Sequence, residues 1–125
     1  MKRARAASVV AAIAAAFAVP ASALAYTDNG SVAFQSGRAC SGCTVTFHNL
    51  STGAYGSTTS NSSGAWSAGG FVSGYFYEVY GNYNLGGGCT YGSADSILWQ
   101  QGSYNMLIGT IHVNSHAGMS GCPVF

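Results

Sequence analysis

The stretch 59–80 constrains the fold most, because turn residues alternate there with extended segments rich in aromatic side chains. Polar residues at 61–64 (Asn-Ser-Ser-Gly) signal a turn. Apolar residues then recur at every second position, at Tyr75, Tyr77 and Val79. In an extended chain, side chains at every second position lie on the same face. We therefore predict a central hairpin of strands 65–68 and 75–83, with the rest of the chain packed around it.

A second strand, 43–49, shows the most regular alternation in the chain. Cys43, Val45 and Phe47 point one way, and the polar residues between them point the other way. This pattern is typical of a strand with one buried face and one solvated face. The remaining strand candidates are 31–35, the polar and edge-like segment 54–60, and 104–114 with a bulge at Gly109.

The other segments are less regular. Residues 26–30 are polar and predicted to be frayed, 84–92 reads as a glycine-rich loop, and 93–101 fits either a short helical turn or a strand. About seven short strands separated by turn signals, without helical periodicity, predict an all-β fold. The expected architecture is a small Ig-like or prealbumin-like sandwich of antiparallel strands, stabilised by disulfides.

The first 25 residues have the features of a secretory signal peptide. Basic residues precede an apolar stretch over 8–19, and the small-x-small pattern Ala23-Leu24-Ala25 follows. The apolar stretch is shorter than the ~20 residues that a membrane span needs. We therefore predict cleavage after Ala25, a single domain over 26–125, and a secreted, extracellular protein without a membrane span.

Removal of this leader would change the charge of the chain. Residues 26–125 keep one basic residue, Arg38, against Asp28, Glu78 and Asp95, which leaves a net charge of −2. A phosphate-binding surface needs several Lys or Arg side chains on one face. The sequence therefore argues against a nucleic-acid partner.

All four cysteines lie beyond the leader, at Cys40, Cys43, Cys89 and Cys122. An even number in a small exported chain indicates two disulfides. Three pairings are open. The short Ser41-Gly42 spacer favours Cys40 with Cys43 and Cys89 with Cys122, and a Cys43–Cys89 bridge is the main alternative.

The residues of 43–80 resemble carboxypeptidase regulatory-like and collagen-adhesin B-type domains, which are prealbumin-like sandwiches. The matching positions are Val45, Phe47, Asn49, Thr52, Gly53, Thr59, Ser60, Asn61, Gly64, Trp66, Phe71 and Gly74. This chain has Ser73 where those domains usually have Pro, and Tyr77 lies one position late. Some of those domains form a Lys-to-Asn isopeptide bond, which residues 26–125 cannot form because they contain no lysine.

No set of residues in the sequence identifies a reaction. Cys40-Ser41-Gly42-Cys43 has the spacing of a redox motif, but a strand follows it instead of the helix that lowers a thiol pKa. The three histidines, His48, His112 and His116, match no metal motif. The carboxylates are few and scattered. We predict a non-enzymatic protein without a metal or cofactor.

Aromatic residues among uncharged polar ones are the remaining candidates for function. Phe76, Tyr80, Tyr83, Tyr91 and Trp99 are candidate ligand-binding residues, although they could equally fill the core. The leading hypothesis is a binding module for an extracellular polysaccharide or protein. Self-assembly is the alternative, because the predicted edge strands lack the lysines that usually guard sheet edges. A secreted enzyme or enzyme inhibitor is the third and least favoured hypothesis.

Overall fold

The computed structural model describes residues 14–19 and 23–125, so most of the predicted leader lies outside the described residues. The described part contains nine strands: β1 (Ala14–Ala15), β2 (Ala25–Phe34), β3 (Thr44–Asn49), β4 (Tyr55–Thr59), β5 (Ala65–Val72), β6 (Phe76–Gly86), β7 (Cys89–Tyr91), β8 (Ile97–Gln100) and β9 (Leu107–Val113). Within the same residues there is no helix. The all-β prediction is confirmed.

The strands form two sheets that pack face to face. One sheet has the order β1-β5-β2-β9, and the other has the order β4-β3-β6-β7, with β8 also paired to β6. Aromatic and β-branched side chains from both inner faces make the core, including Val32, Phe47, Phe71, Tyr77 and Ile111. The period of two in each strand supplies these inward positions, as in the predicted sandwich.

The predicted central hairpin is wrong, because β5 and β6 belong to different sheets. β5 pairs with β2, whereas β6 pairs with β3 and β8. The turn between them carries the chain from one sheet to the other, and the hydroxyl of Tyr77 accepts a hydrogen bond from the backbone N–H of Val72 at 2.9 Å across this corner. Tyr77 and Val79 are buried as expected, whereas Tyr75 lies in the turn and is partly exposed.

Three segments without a clear alternation are more ordered than expected. Residues 26–30 belong to β2, which is ten residues long and pairs with β5 on one side and β9 on the other. The predicted loop 84–92 is a hairpin of β6 and β7. The ambiguous segment 93–101 contains the strand β8.

Two further features concern strand direction and register. β2 pairs with β9 in parallel, which the antiparallel prediction missed. The predicted bulge at Gly109 is confirmed, because the β2–β9 register shifts there and Gly109 has a φ of +120°. The predicted half-buried strand at 43–49 and the edge strand within 54–60 are also confirmed, as β3 and β4.

Candidate functional site

The solvent-facing side of the β4-β3-β6-β8 sheet carries the most conspicuous exposed side chains, and we name it the outer face. Its position follows from the alternation in β6, where Tyr77, Val79 and Gly81 point into the core. The residues between them therefore point outward. The outer face is formed by Thr46, His48, Tyr55, Phe76, Glu78, Tyr80, Leu98 and Gln100.

Apolar groups dominate one end of the outer face. The exposed fractions are 51% for Phe76 and 65% for Leu98, and the two side chains lie on neighbouring strands. Leu50 joins them, because its backbone N–H donates to the carbonyl of Phe76 at 2.8 Å. Exposed apolar residues that cluster in this way mark interaction surfaces more often than isolated ones do.

The other end of the outer face is aromatic and polar. The rings of His48 and Tyr55 stack with centroids 4.1 Å apart and an interplanar angle of 4°. Glu78 lies in the centre of the outer face, between His48 on β3 and Leu98 on β8, and its carboxylate accepts a hydrogen bond from Ser96 Oγ at 3.0 Å. A second molecule approaching this face therefore meets rings, hydroxyls and a single carboxylate, so the electrostatic cost of contact is low.

The five predicted ligand-binding residues separate into two groups. Phe76 and Tyr80 lie on the outer face. Tyr83, Tyr91 and Trp99 point inward: Tyr83 and Tyr91 pack against Phe34, and Trp99 packs against Tyr77 with ring centroids 5.5 Å apart. Tyr91 is only 1% exposed. The two sheets therefore enclose the Tyr91 ring, whereas Tyr83 and Trp99 pack against the core and remain partly exposed.

Both disulfides have the favoured pairing, Cys40–Cys43 and Cys89–Cys122. The first bridge is fully buried and leads directly into β3, so neither sulfur is accessible to a redox partner. The second bridge holds the C-terminal segment on the sandwich, where Phe125 stacks on Phe34 with centroids 4.6 Å apart. Both bridges therefore stabilise the fold.

The histidines are dispersed rather than convergent. His48 lies on the outer face, whereas His112 lies on β9 in the other sheet. His112 pairs with Asp95, Nδ1 to Oδ2, at 2.7 Å. Sequence reasoning missed this pair, because the two residues are 17 positions apart and no motif connects them. The described residues contain no group of three or more His, Cys, Asp or Glu side chains that could hold a metal ion.

Asp28 is the one fully buried carboxyl in the described part of the chain, and the sequence did not single it out. Its Oδ1 accepts hydrogen bonds from the backbone N–H of Met106 at 2.8 Å and from Gln101 Nε2 at 3.2 Å. Burial nevertheless raises the pKa of this carboxyl above its ordinary value of 3.8, because the charged form is poorly solvated between the sheets.

Asp28→Asn is expected to remove a pH dependence of stability. Because the pKa of Asp28 is higher in the folded state, the folded protein binds more protons between pH 3.8 and that raised value. The free energy of unfolding therefore falls as the pH rises through this interval, by at most about 1.4 kcal/mol per pH unit for one proton. Urea denaturation followed by tryptophan fluorescence from pH 4 to 8 measures the slope.

The control for this experiment is Asp95→Asn, which removes an exposed carboxyl. The asparagine in Asp28→Asn keeps an Oδ1 acceptor for Met106 and Gln101, so the local hydrogen bonds survive. Asp28→Asn should lose the slope and Asp95→Asn should keep it. An unchanged slope in Asp28→Asn would contradict the assignment.

The described residues contain no helix long and apolar enough to cross a membrane. No protein-family model matches the sequence, and comparison with curated proteins also finds no match. Comparison with solved structures does find similar folds. The shaft pilin SpaA from Lactobacillus rhamnosus GG is 14% identical, with a TM-score of 0.50, over 76% of this chain and 48% of the pilin chain.

Two related structures give similar values. A double mutant of the same pilin also has a TM-score of 0.50 at 14% identity, over 76% of this chain and 47% of that one. The isolated C-terminal domain of the pilin has a TM-score of 0.49 at 13% identity, over 72% of this chain and 97% of that one. This chain thus spans about half the length of the longer pilin structures. The similarity to the longer structures concerns the fold alone, a β-sandwich of two sheets.

Proposed function

We propose that this chain is an extracellular, non-enzymatic structural protein that associates with copies of itself through the outer face. Exposure of Phe76, Leu98 and Tyr55 on one sheet face is the observation that carries the proposal. Burying such groups against a second copy gains about 25 cal/mol per Å² of apolar surface. The similarity in fold to a shaft pilin supports a structural role, and the two disulfides support an extracellular location.

The outer face carries few charges that would oppose contact between two copies. Two identical surfaces repel each other when each carries several charges of one sign, and here Glu78 is the charged group in the centre of the face. Its hydrogen bond from Ser96 disperses part of that charge. A symmetric contact therefore has a low electrostatic cost when its two-fold axis keeps the two Glu78 carboxylates apart.

The test compares the self-association of the wild type with that of Phe76→Ser/Leu98→Ser by analytical ultracentrifugation over a range of concentrations. Central apolar residues of an interface often contribute more than 1 kcal/mol each. The double variant should therefore raise the dissociation constant by about tenfold or more. Retained near-UV circular dichroism shows that the fold is intact.

Leu107→Ser is the matched control, because Leu107 is 79% exposed but lies on β9 in the opposite sheet. It should leave association unchanged. A wild type that stays monomeric at high concentration would contradict self-assembly. An effect of Leu107→Ser equal to that of the double variant would contradict the outer face as its location.

A second candidate function is binding of an extracellular polysaccharide or protein by the same face. Phe76 and Tyr80 support it, because they lie two positions apart on β6 and both point outward. A monomeric wild type that binds insoluble polysaccharide or cell walls saturably, and loses that binding in Phe76→Ser, would favour this candidate over assembly.

Export and family membership complete the proposal. We expect the chain to be secreted, to be cleaved after Ala25, and to fold as a single domain over 26–125. Mass spectrometry of the exported product would test the cleavage site. The resemblance of residues 43–80 to carboxypeptidase regulatory-like and collagen-adhesin B-type domains supports a place among those sandwiches.

A further inference from the structure

A groove opens between β4 and β5, which lie in different sheets at one side of the sandwich, and residues 14–17 occupy it. We name it the β4–β5 groove. Ala14 and Ala15 pair in parallel with residues 68–69 of β5. The backbone N–H of Ala16 donates to the carbonyl of Gly69 at 2.8 Å. The leader segment therefore extends the first sheet by one short strand.

Phe17 inserts its ring between the two sheets. The ring centroid lies 5.7 Å from that of Phe71, 5.4 Å from that of Tyr77 and 6.5 Å from that of Phe47. Phe71 belongs to one sheet, and the other two rings belong to the opposite sheet. Phe17 thus closes the aromatic core from the side that β4 and β5 leave open.

Two glycines give the groove its shape. A Cβ atom at Gly56 would overlap the carbonyl of Ala16, and the three nearest atoms to that position all belong to Ala16. On the opposite wall, a Cβ atom at Gly70 would lie 2.6 Å from the carbonyl oxygen of Phe17. A peptide backbone fits between the walls only because both positions lack a side chain.

The groove continues past Phe17 as an open cleft of about 360 Å³. Residues 16–18 of the leader form one part of its wall, and the remaining lining is also uncharged: Asn49, Thr52, Ala54, Tyr55, Gly70, Val72 and Tyr75. A longer extended segment can therefore continue beyond the aromatic ring without meeting a charge. The edge of β5 that pairs with β1 would offer its backbone hydrogen bonds to such a segment once residues 14–17 are removed, which is how strand addition gains affinity.

We infer that the β4–β5 groove is an acceptor site for an extended segment of another polypeptide, with consecutive small residues followed by a phenylalanine. The leader fills the site before processing, and the partner segment fills it afterwards. The inference rests on the predicted cleavage after Ala25, which would remove Phe17. It goes beyond self-association through the outer face, because it concerns a cleft that shares only Tyr55 with that face, and a different partner.

The partner is a different polypeptide rather than a second processed copy. Within residues 26–125, small residues directly precede a phenylalanine at Ala33-Phe34 and Gly70-Phe71. Both segments lie in paired strands, and both phenylalanines are buried. Neither can leave its own sandwich to fill the groove of a neighbour without unfolding it.

The experiment exports the full chain from a secreting bacterial host and determines the N-terminus of the product by mass spectrometry. The product is then titrated with the synthetic peptide Ala14–Val19 (AAAFAV), with calorimetry and thermal denaturation as readouts. The folded, processed protein should bind the peptide saturably and melt at a higher temperature in its presence. A peptide with Phe17→Ser should bind at least tenfold more weakly.

Two protein variants make the test specific to the groove. Gly56→Ala places a methyl group where the backbone of Ala16 passes, and should abolish peptide binding while the processed protein stays folded. Ser57→Ala, at the next and more exposed position, should bind like the wild type. No peptide binding by the folded product, equal binding by Gly56→Ala, or a product that retains residues 14–17 would each overturn the inference. Self-association of the outer-face variants is measured separately, so either proposal can fail alone.

Discussion

Phe71→Ala is expected to lower the free energy of unfolding by about 3–5 kcal/mol, the usual cost of removing a buried phenylalanine. Phe71 is fully buried where the two sheets meet. Its ring centroid lies 5.1 Å from that of Phe47, 5.0 Å from that of Tyr77 and 5.7 Å from that of Trp99. Alanine leaves a cavity that the rings held by the opposite sheet cannot close. Urea denaturation followed by tryptophan fluorescence measures the loss.

Phe76→Ala is the matched control, because it removes the same side chain from the solvent-exposed outer face. Its expected cost is below about 1 kcal/mol, as for most surface substitutions. Domains of this size have a free energy of unfolding of about 5–15 kcal/mol, so the loss expected for Phe71→Ala is a large fraction of it. Equal losses in the two variants would contradict the assignment of Phe71 to the centre of the core.

The second large effect is expected from Cys89→Ser/Cys122→Ser, which removes the longer disulfide. The bridged residues are 33 positions apart, and the restriction of a loop of this size in the unfolded chain corresponds to about 3–4 kcal/mol. The variant also releases the C-terminal segment, in which Phe125 stacks on Phe34. Denaturation without reductant measures the loss, and limited proteolysis detects the released C-terminus.

Phe125→Ala with the bridge intact separates packing from the covalent restraint. It removes the ring that packs on Phe34, Tyr83 and Tyr91 but leaves the loop closed. It should cost less than the loss of the bridge, and it should not increase cleavage near Cys122. A loss below about 1 kcal/mol in Cys89→Ser/Cys122→Ser would contradict the loop-closure argument.

Features with a local physical cause could be predicted from the sequence. The strand at 43–49 follows from a period of two that only an extended chain presents to a core. The two-residue spacer favoured the Cys40–Cys43 bridge over the alternative Cys43–Cys89 bridge, and the structure has the favoured pairs. The bulge at Gly109 follows from a residue that tolerates a positive φ within an otherwise regular strand.

The candidate site was predicted only in part, because alternation does not tell which face of a strand is buried. Phe76 and Tyr80 point outward on β6, whereas Tyr83 on the same strand points inward. Trp99 faces the core because β8 pairs with β6 in the register that aligns it with Tyr77. A shift of one residue in that register would have exchanged Trp99 with Leu98.

The sequence by itself determined the all-β class and the alternation of extended segments with turns, because both depend on spacings of a few residues. It favoured the disulfide partners but left three pairings open. Only the tertiary structure decided which strands pair, that β5 and β6 lie in different sheets, and that Asp28 is buried. It also decided that Phe17 fills the side of the core. These outcomes depend on contacts between residues far apart in the chain, which form because joint burial of both sheets minimises exposed apolar surface.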